Sequence, residues 1–323
     1  MASTKQIWRD FAKRQQKIEK TFVVKMSNAV KGEVKKVTSY IQAYGTAKIN
    51  THIHIAFEHT NIKQVLSDLW HTSAISEANY QYKLLKKTYA KSKGLGFNEE
   101  WNKIIDLYLS DVEKFKTVEQ INDTTKKRLL AIISSGIQEG KSNDQIVDDI
   151  EADDIPLKRA MLIVRTESVG AMNVGSMMGA MSTGIMYDKS WITAHDHKVR
   201  GTKPADQFSH VALDGDVVHM EKAYNNGEDI RYPGDKMASP GNFCNCRCVQ
   251  RFIARRDNNG RIMRYGPVQQ GNTAGGGTGT SSNVFTPGNP QTSILMQIIA
   301  GTILGQSLVW LFNSAMGYDD DSN

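Results

Sequence analysis

The chain has 323 residues, of which 40% are hydrophobic and 23% are charged, so it holds enough apolar material for a folded core. A mean hydropathy of -0.43 excludes a protein built mainly from membrane-spanning segments. Three cysteines in a chain of this length exclude a disulfide-stapled scaffold, and the first residues lack the apolar run of a secretory signal. We therefore expect synthesis in a reducing cytoplasm.

The net charge of +6 is concentrated at the N-terminus. Residues 1–50 contain eleven Lys and Arg against Asp10, Glu19 and Glu33, which gives +8, so the remaining residues sum to -2. Clustered cations gain free energy by releasing counterions from a polyanion, which favours DNA or an acidic protein surface as a partner. A solvated helix face without a partner is the alternative interpretation.

The N-terminal part of the chain is predicted to be helical. Residues 5–44 form one long helix in this prediction, because apolar residues recur at steps of three and four, and Gly45 is a plausible stop. The members of this stripe are Phe11, Ile18, Phe22, Met26, Val30, Val34, Val37, Ile41 and Tyr44. The segments 62–70 and 101–115 also have helical spacing.

Three further helices are predicted from capping signals. Asp123 is the expected N-cap of a helix that ends near Gly140, and Ser142 with Asn143 caps a short helix. Pro156 opens the third helix, which runs to about Met181. Gly175 and Gly179 lie one turn apart in it and predict that a neighbouring backbone approaches closely.

The hydrophobic period then changes to that of short strands. The segments 189–196, 210–220 and 228–235 are rich in β-branched and aromatic residues. Asp214–Gly215 is a typical hairpin turn. Residues 185–253 therefore predict a small sheet-bearing module, and the whole chain is predicted to be α+β.

All three cysteines fall in the sequence GNFCNCRC, at Cys244, Cys246 and Cys248. Thiolates bind zinc, and His210, His219, His195, His197 or Asp196 could complete a four-ligand site. A disulfide within Cys-x-Cys would be strained. Burial of the thiols as small hydrophobes is the third interpretation.

The sequence HDHKVR at 195–200 raises the question of an active site. In an extended segment His195 and His197 would point to one face and Asp196 to the other. Hydrolase and phosphate-loop motifs such as HExxH and GxSxG do not occur. We expect no enzymatic activity, and a zinc-dependent hydrolase is kept as the alternative.

Five motifs in order resemble the phage head morphogenesis family, the Mu protein F-like minor head proteins. The motifs are RTE (165–167), KSWITAHDHKVR (189–200), HVALDG (210–215), YPGD (232–235) and NCRC (245–248). The resemblance covers about 120–250. The spacing between Arg200 and His210 is longer than is common in the family, and Cys244 lies outside the pattern, which has two cysteines.

This resemblance implies a set of matching residues, and it implies no catalytic chemistry. By position they are Arg165, Glu167, Trp191, Asp196, Arg200, His210, Asp214, Gly215, Pro233, Gly234, Asn245, Cys246, Arg247 and Cys248. If the protein binds a metal, the resemblance favours Cys246 and Cys248 with His210 and an aspartate, Asp196, as ligands and zinc as the ion.

The C-terminal part of the chain differs in composition. Residues 257–291 are rich in Gly, Ser, Thr and Pro and predict a flexible linker, followed by an apolar helix at 292–318 and an acidic tail at 319–323. The helix contains Ile294, Gly301, Gly305 and Trp310 and is long enough to cross a bilayer. Docking or oligomerisation, membrane insertion, and packing on its own core are the three interpretations.

The resemblance implies a minor head protein of a tailed bacteriophage that acts near the portal vertex of the virion in head assembly, DNA packaging or ejection. Residues 1–118 would form a basic helical region and 119–256 the Mu F-like domain. The expected partners are portal and other head proteins, further copies of the chain and packaged double-stranded DNA. The alternative is a protein ejected into the host, with 292–318 inserted in a membrane.

Overall fold

The computed structural model describes residues 3–56, 60–89, 98–110 and 112–264. The helices are α1 (Thr4–Tyr44), α2 (Ile49–Ala56), α3 (Thr60–Tyr89), α4 (Asn98–Ser110), α5 (Val112–Gln138), α6 (Asn143–Ala152), α7 (Ile155–Met181) and α8 (Pro240–Phe243). The strands are β1 (Tyr187–Ile192), β2 (Val217–His219), β3 (Tyr224–Asn225), β4 (Asp229–Ile230) and β5 (Val249–Ala254). The predicted mixture of long helices and a small antiparallel sheet is confirmed.

The chain divides into two compact units. The helical unit consists of residues 12–72 and 109–168, and the sheet unit consists of residues 1–11, 73–108 and 169 onward. Each unit takes residues from both of the predicted segments 1–118 and 119–256.

The core of the helical unit is aliphatic. The stripe predicted for α1 is buried at Phe22, Met26, Val30, Val34, Val37 and Ile41. These residues pack in one cluster with apolar residues of α2, α3, α5, α6 and α7. Tyr44 is 75% exposed and lies outside the core, because α1 ends there. Gly45 has a φ of +75° and donates its N–H to the carbonyl of Ile41 at 2.8 Å, as a helix-terminating glycine does.

The predicted start of α5 was wrong, whereas the predicted cap of α6 is confirmed. The helix already begins at Val112, and Asp123 lies inside it, because the chain from 112 to 122 contains no helix breaker and Ile121 is buried. Ser142 caps α6: its hydroxyl accepts from the N–H of Gln145 at 3.3 Å, and the Gln145 side chain accepts from the N–H of Ser142 at 2.8 Å.

The sheet unit has a three-stranded antiparallel sheet in the order β2-β1-β5. In the register of β1 with β5, Trp191 pairs with Gln250, and in that with β2, Ser190 pairs with Val217. The central strand β1 is buried on both faces, and only Asp188 is partly exposed. A separate two-stranded hairpin joins β3 and β4.

Close helix packing in the sheet unit depends on two glycines of α7. A Cβ atom on Gly175 would lie 2.2 Å from the carbonyl oxygen of Ala74 in α3, and one on Gly179 would lie 2.3 Å from that of Ala78. The predicted close approach of a neighbouring backbone is therefore confirmed.

The strand prediction for 210–216 was wrong. Residues 210–215 form turns, and the strand is confined to Val217–His219. Gly215, with a φ of +88°, donates its N–H to the carbonyl of Trp191 at 2.9 Å, so the Asp214–Gly215 pair returns the chain to β1 and does not close a two-residue hairpin. The extended conformation expected for 195–197 was also wrong, because His195 has a φ of +52° and a turn follows at Asp196.

The C-terminal predictions lie mostly outside the described residues. Residues 265–323, which include Ile294, Gly301, Gly305 and Trp310, are not among them. The described start of the predicted linker forms a turn in which the Asp257 carboxylate accepts from the N–H groups of Asn259 and Arg261. Within the described part of the chain, no helix combines the length and the apolar character that a bilayer crossing requires.

Candidate functional site

The site is built around the cysteine corner, which we define as residues 240–248. Helix α8 opens this corner, and the N–H groups of Cys244 and Cys246 donate to the carbonyls of Pro240 and Phe243 at 3.1 Å each. Asn245 then adopts a φ of +55°, a conformation that asparagine accepts more readily than most residues. As a result, Cys246 and Cys248 are buried, whereas Cys244 is half-buried.

His210 lies against these two thiols. Its Nδ1 atom is 3.7 Å from Sγ of Cys246 and 3.6 Å from Sγ of Cys248. The residue is 2% exposed, and its backbone N–H donates to the carbonyl of Arg200 at 2.9 Å. The ring also contacts that of Trp191, edge to face, with the centroids 5.3 Å apart.

The other ring nitrogen of His210 is held by Asn242. The distance from Nε2 to Oδ1 of Asn242 is 3.0 Å, and the Asn242 amide nitrogen donates to the Glu228 carboxylate at 2.9 Å. Because a carboxylate only accepts, this bond orients the amide so that its oxygen faces His210. In a neutral imidazole, Nε2 therefore carries the proton, and the lone pair of Nδ1 faces the sulfur atoms.

The two thiols differ in acidity. The hydrogen bond from Cys248 holds the pKa of the Cys246 thiol well below its usual value, against the opposing effect of burial. Burial, followed by the neighbouring Cys246, raises the pKa of Cys248 well above its usual value. The pair therefore titrates as a unit that loses its first proton easily and its second with difficulty.

Two arginines of the motifs fasten the corner. Arg200 donates from Nη1 to the carbonyl of Asn242 at 3.1 Å and from Nη2 to the carbonyl of Cys244. Arg247 forms a two-point ion pair with Asp196, with both N–O distances at 2.6 Å, and these bonds lower the pKa of Asp196 to about 2. The carbonyl of Arg247 accepts from the indole N–H of Trp8 at 2.8 Å.

Most of the other motif residues lie in the same unit. Trp191 is fully buried, and Asp214 accepts the N–H of Thr193 at 2.8 Å and lies 3.4 Å from the His195 ring. Pro233 is buried, and Gly234, with a φ of +84°, lies so close to Gly170 that a Cβ atom there would be 2.9 Å from its Cα.

Arg165 and Glu167 belong to the helical unit. The Arg165 guanidinium is 3.6 Å from the carboxylate of Glu19, and the buried Glu167 accepts the indole N–H of Trp70 at 3.0 Å. Both residues therefore hold the helices of that unit together.

Of the four predicted metal ligands, the structure brings three together. The ligand atoms of His210, Cys246 and Cys248 all lie within 4.8 Å of one another. Asp196 is not in this group, since both of its oxygens bind Arg247. A cavity of about 10 Å³ adjoins the group and is lined in part by Lys198 and Val199, with room for about one water-sized occupant.

Sequence reasoning missed the residues that orient His210. Asn242 lies inside GNFCNCRC and could have been noticed there, since it is two residues before the first cysteine. Glu228 and Asn226 bond to Asn242 and are separated from it by 14 and 16 residues. No motif or periodicity in the sequence predicts these contacts.

Residues 127–251 match the family model described as Phage Mu protein F like protein. The match covers the segment in which the motifs were recognised, and it confirms that this part of the chain is similar to that family. The family to which this segment is similar is one of phage head morphogenesis proteins, which suggests a virion location. Comparison with curated proteins and with solved structures found no match.

Proposed function

We propose that this chain is a structural minor head protein that acts near the portal vertex in head assembly, DNA packaging or ejection. The observation that carries the proposal is the family match over residues 127–251, together with the burial of the motif residues Trp191, His210, Cys246 and Cys248 against one another.

A structural role is favoured over a catalytic one by the dimensions of the candidate site. Enzyme pockets that enclose a small molecule typically measure about 300–1,000 Å³. The cavity beside His210 measures only about 10 Å³. His210, Cys246 and Cys248, whose nitrogen and sulfur atoms form the site, are themselves buried. These features support a site that fixes the chain conformation.

The position in the particle can be tested by a virion reconstruction without imposed icosahedral symmetry. The expected result is density for this chain at the single portal vertex and peptides of the chain in the purified virion. Density spread evenly over the shell would contradict the portal-proximal role. Absence from purified virions would contradict a virion protein altogether.

The exposed face of α1 supports packaged DNA as a partner. In the helical unit, α1 exposes seven lysines and no carboxylate, since Glu19 is half-buried and Glu33 is buried. The lysines are Lys13, Lys17, Lys20, Lys25, Lys31, Lys35 and Lys36. A surface of this kind binds phosphates through counterion release.

The DNA contact is tested with four Lys→Gln substitutions, at Lys13, Lys17, Lys20 and Lys25. Binding to a double-stranded fragment should weaken, and the slope of log affinity against log salt should fall by up to about 4, because four phosphate contacts are lost. A matched control replaces four exposed lysines of the sheet unit, Lys83, Lys87, Lys203 and Lys222. Equal effects of both sets would mean nonspecific charge attraction and would contradict an α1 interface.

The apolar segment 292–318 is proposed to attach the protein to portal or head subunits or to further copies of itself. Its uncharged sequence also suits the alternative, insertion into a host membrane. Flotation with liposomes separates the two, using the full chain and a variant that lacks 292–318. If the full chain floats with liposomes and the variant does not, membrane insertion is favoured. If neither form floats but deletion changes the oligomeric state, docking on protein subunits is favoured.

A further inference from the structure

We propose that His210, Cys246 and Cys248 bind one zinc ion through Nδ1 and the two Sγ atoms. This site is independent of the proposed role in the phage head. It rests on the spacing of three ligand atoms, the orientation of the imidazole and the small cavity beside them.

The spacing of the ligand atoms matches a zinc coordination sphere. With Zn–S bonds of about 2.3 Å and Zn–N bonds of about 2.0–2.1 Å at tetrahedral angles, the sulfur and nitrogen ligands are separated by roughly 3.6 Å. The two separations in the structure are 3.7 Å to Cys246 and 3.6 Å to Cys248. With all three ligand atoms within 4.8 Å of one another, they are close enough to share one ion.

The imidazole is already held in the form that a metal requires. Asn242 accepts a hydrogen bond from Nε2–H, which leaves the lone pair of Nδ1 for the ion. Glu228 fixes the Asn242 amide in turn. A chain of carboxylate, amide and histidine is the kind of outer shell that orients metal ligands and increases their basicity.

The charge of the site and the softness of its ligands select the metal. Binding would release the thiol protons of Cys246 and Cys248, and a divalent cation would neutralise the two buried negative charges that result. Thiolate and imidazole ligands select zinc over magnesium and calcium, which prefer oxygen. The adjoining cavity of about 10 Å³ has space for about one water molecule, which would serve as the fourth ligand.

The ion would connect two distant parts of the sheet unit. His210 belongs to the turns before β2, and the cysteines lie 36 and 38 residues further along the chain, directly before β5. A metal that joins them would stabilise the folded form, because its ligands are brought together only there.

The test uses the full chain, stripped with a chelator, dialysed and then loaded with zinc or cobalt. We expect about one bound metal per chain by elemental analysis. With cobalt, we expect a thiolate-to-metal charge-transfer band and the strong visible bands of a tetrahedral ion. Failure of the wild-type chain to take up stoichiometric metal, or a disulfide between Cys246 and Cys248 in the protein purified under reducing conditions, would overturn the proposal.

Variants assign the ligands. Cys246→Ser, Cys248→Ser and His210→Ala should each lose the stoichiometric metal, and Cys244→Ser is the matched control that should retain it with an unchanged cobalt spectrum. Asn242→Leu should still bind one ion, with an affinity about 10–100-fold weaker, since it removes the side-chain bonds that orient His210 and no proposed ligand. Equal loss in Cys244→Ser, or full retention in the Cys246→Ser and Cys248→Ser variants, would contradict the assignment. If the ligand variants do not fold, the charge-transfer band of the wild-type chain still decides whether thiolates bind the ion.

Discussion

The two units of this chain are stabilised in different ways. The helical unit buries a continuous aliphatic cluster, with Val30, Ile41, Ile53 and Leu69 all below 5% exposure. The sheet unit buries charged and polar side chains in its interior, among them Lys189 and Asp235, which are both fully buried. The helical unit also buries the carboxylates of Glu33 and Glu167, but its main cluster is apolar, whereas the sheet unit adds the ion pair of Arg231 with the fully buried Asp235. We therefore expect the helical interior to respond mainly to changes in apolar packing and the sheet interior mainly to the loss of polar partners.

The largest effect is expected for Asp235→Ala in the sheet unit. Asp235 accepts hydrogen bonds from N, Nε and Nη2 of Arg231 at 2.9, 2.7 and 2.5 Å, and from the N–H of Met237 at 3.0 Å. Its removal leaves the guanidinium of Arg231 buried without its carboxylate, which costs about 3–5 kcal/mol of unfolding free energy. Urea denaturation measures the loss, and Asp216→Ala, at an exposed position, should cost little. Comparable losses in the two variants would contradict the importance of the buried pair.

A pH dependence is expected from Lys189. Burial lowers its pKa to about 7, and its ammonium donates to the carbonyl of Arg231 at 2.5 Å. Between about pH 7 and 10.5 the unfolded chain binds the proton and the folded chain does not, so this residue makes the unfolding free energy increase with pH by up to about 1.4 kcal/mol per unit. Below pH 7 both states are protonated and the penalty is constant.

Lys189→Met should remove that increase. The measurement is a series of urea denaturations from pH 6 to 9.5, with Lys222→Met, at an exposed position, as the control. A wild-type slope that persists in Lys189→Met would assign the pH dependence to another group.

An intermediate effect is expected from two substitutions that introduce leucine. Ile133→Leu in the helical core conserves volume and should cost less than about 1.5 kcal/mol. Asn242→Leu in the sheet unit leaves His210 and Glu228 without their shared partner and should cost about 1–3 kcal/mol. Denaturation in the presence of a chelator compares them without any contribution from metal. A larger loss in Ile133→Leu would reverse the proposed distinction.

The smallest effect is expected for Ser142→Ala, which removes the capping box of α6 in the helical unit. The loss should be about 1 kcal/mol, because one backbone N–H at the helix start loses its partner. Hydrogen exchange in residues 143–152 should increase, and Ser142→Asp should restore protection. Unchanged exchange in Ser142→Ala would show that packing alone holds α6.

Periodicity and capping signals predicted the helical unit well. The stripe from Phe22 to Ile41, the cap at Ser142 and the stop at Gly45 depend on neighbours within one turn of the chain, which a sequence pattern records. The prediction of an N-cap at Asp123 was wrong because aspartate is also tolerated on an exposed helix face, where Asp123 lies 3.8 Å from Lys126.

The sheet unit was predicted less completely, for a physical reason. Its family motifs located His210, Cys246 and Cys248, but the residues that hold them are polar groups far apart in sequence. Lys189 has the appearance of a surface residue, yet it is fully buried because a carbonyl and an aromatic ring receive its ammonium. Contacts of this kind form only in the tertiary structure, and they produce no periodic pattern in the sequence.

The bond between Trp8 and the carbonyl of Arg247 has a consequence for synthesis. The helical unit is composed of residues 12–72 and 109–168, so its chain is complete when Ser168 leaves the ribosome. The sheet unit contains residues synthesised before the helical unit and residues synthesised after it. It cannot be complete until Arg247 has emerged from the ribosome, because Trp8 bonds to a residue 239 positions later in the chain. We therefore expect the helical unit to fold first during translation, before the sheet unit can be completed.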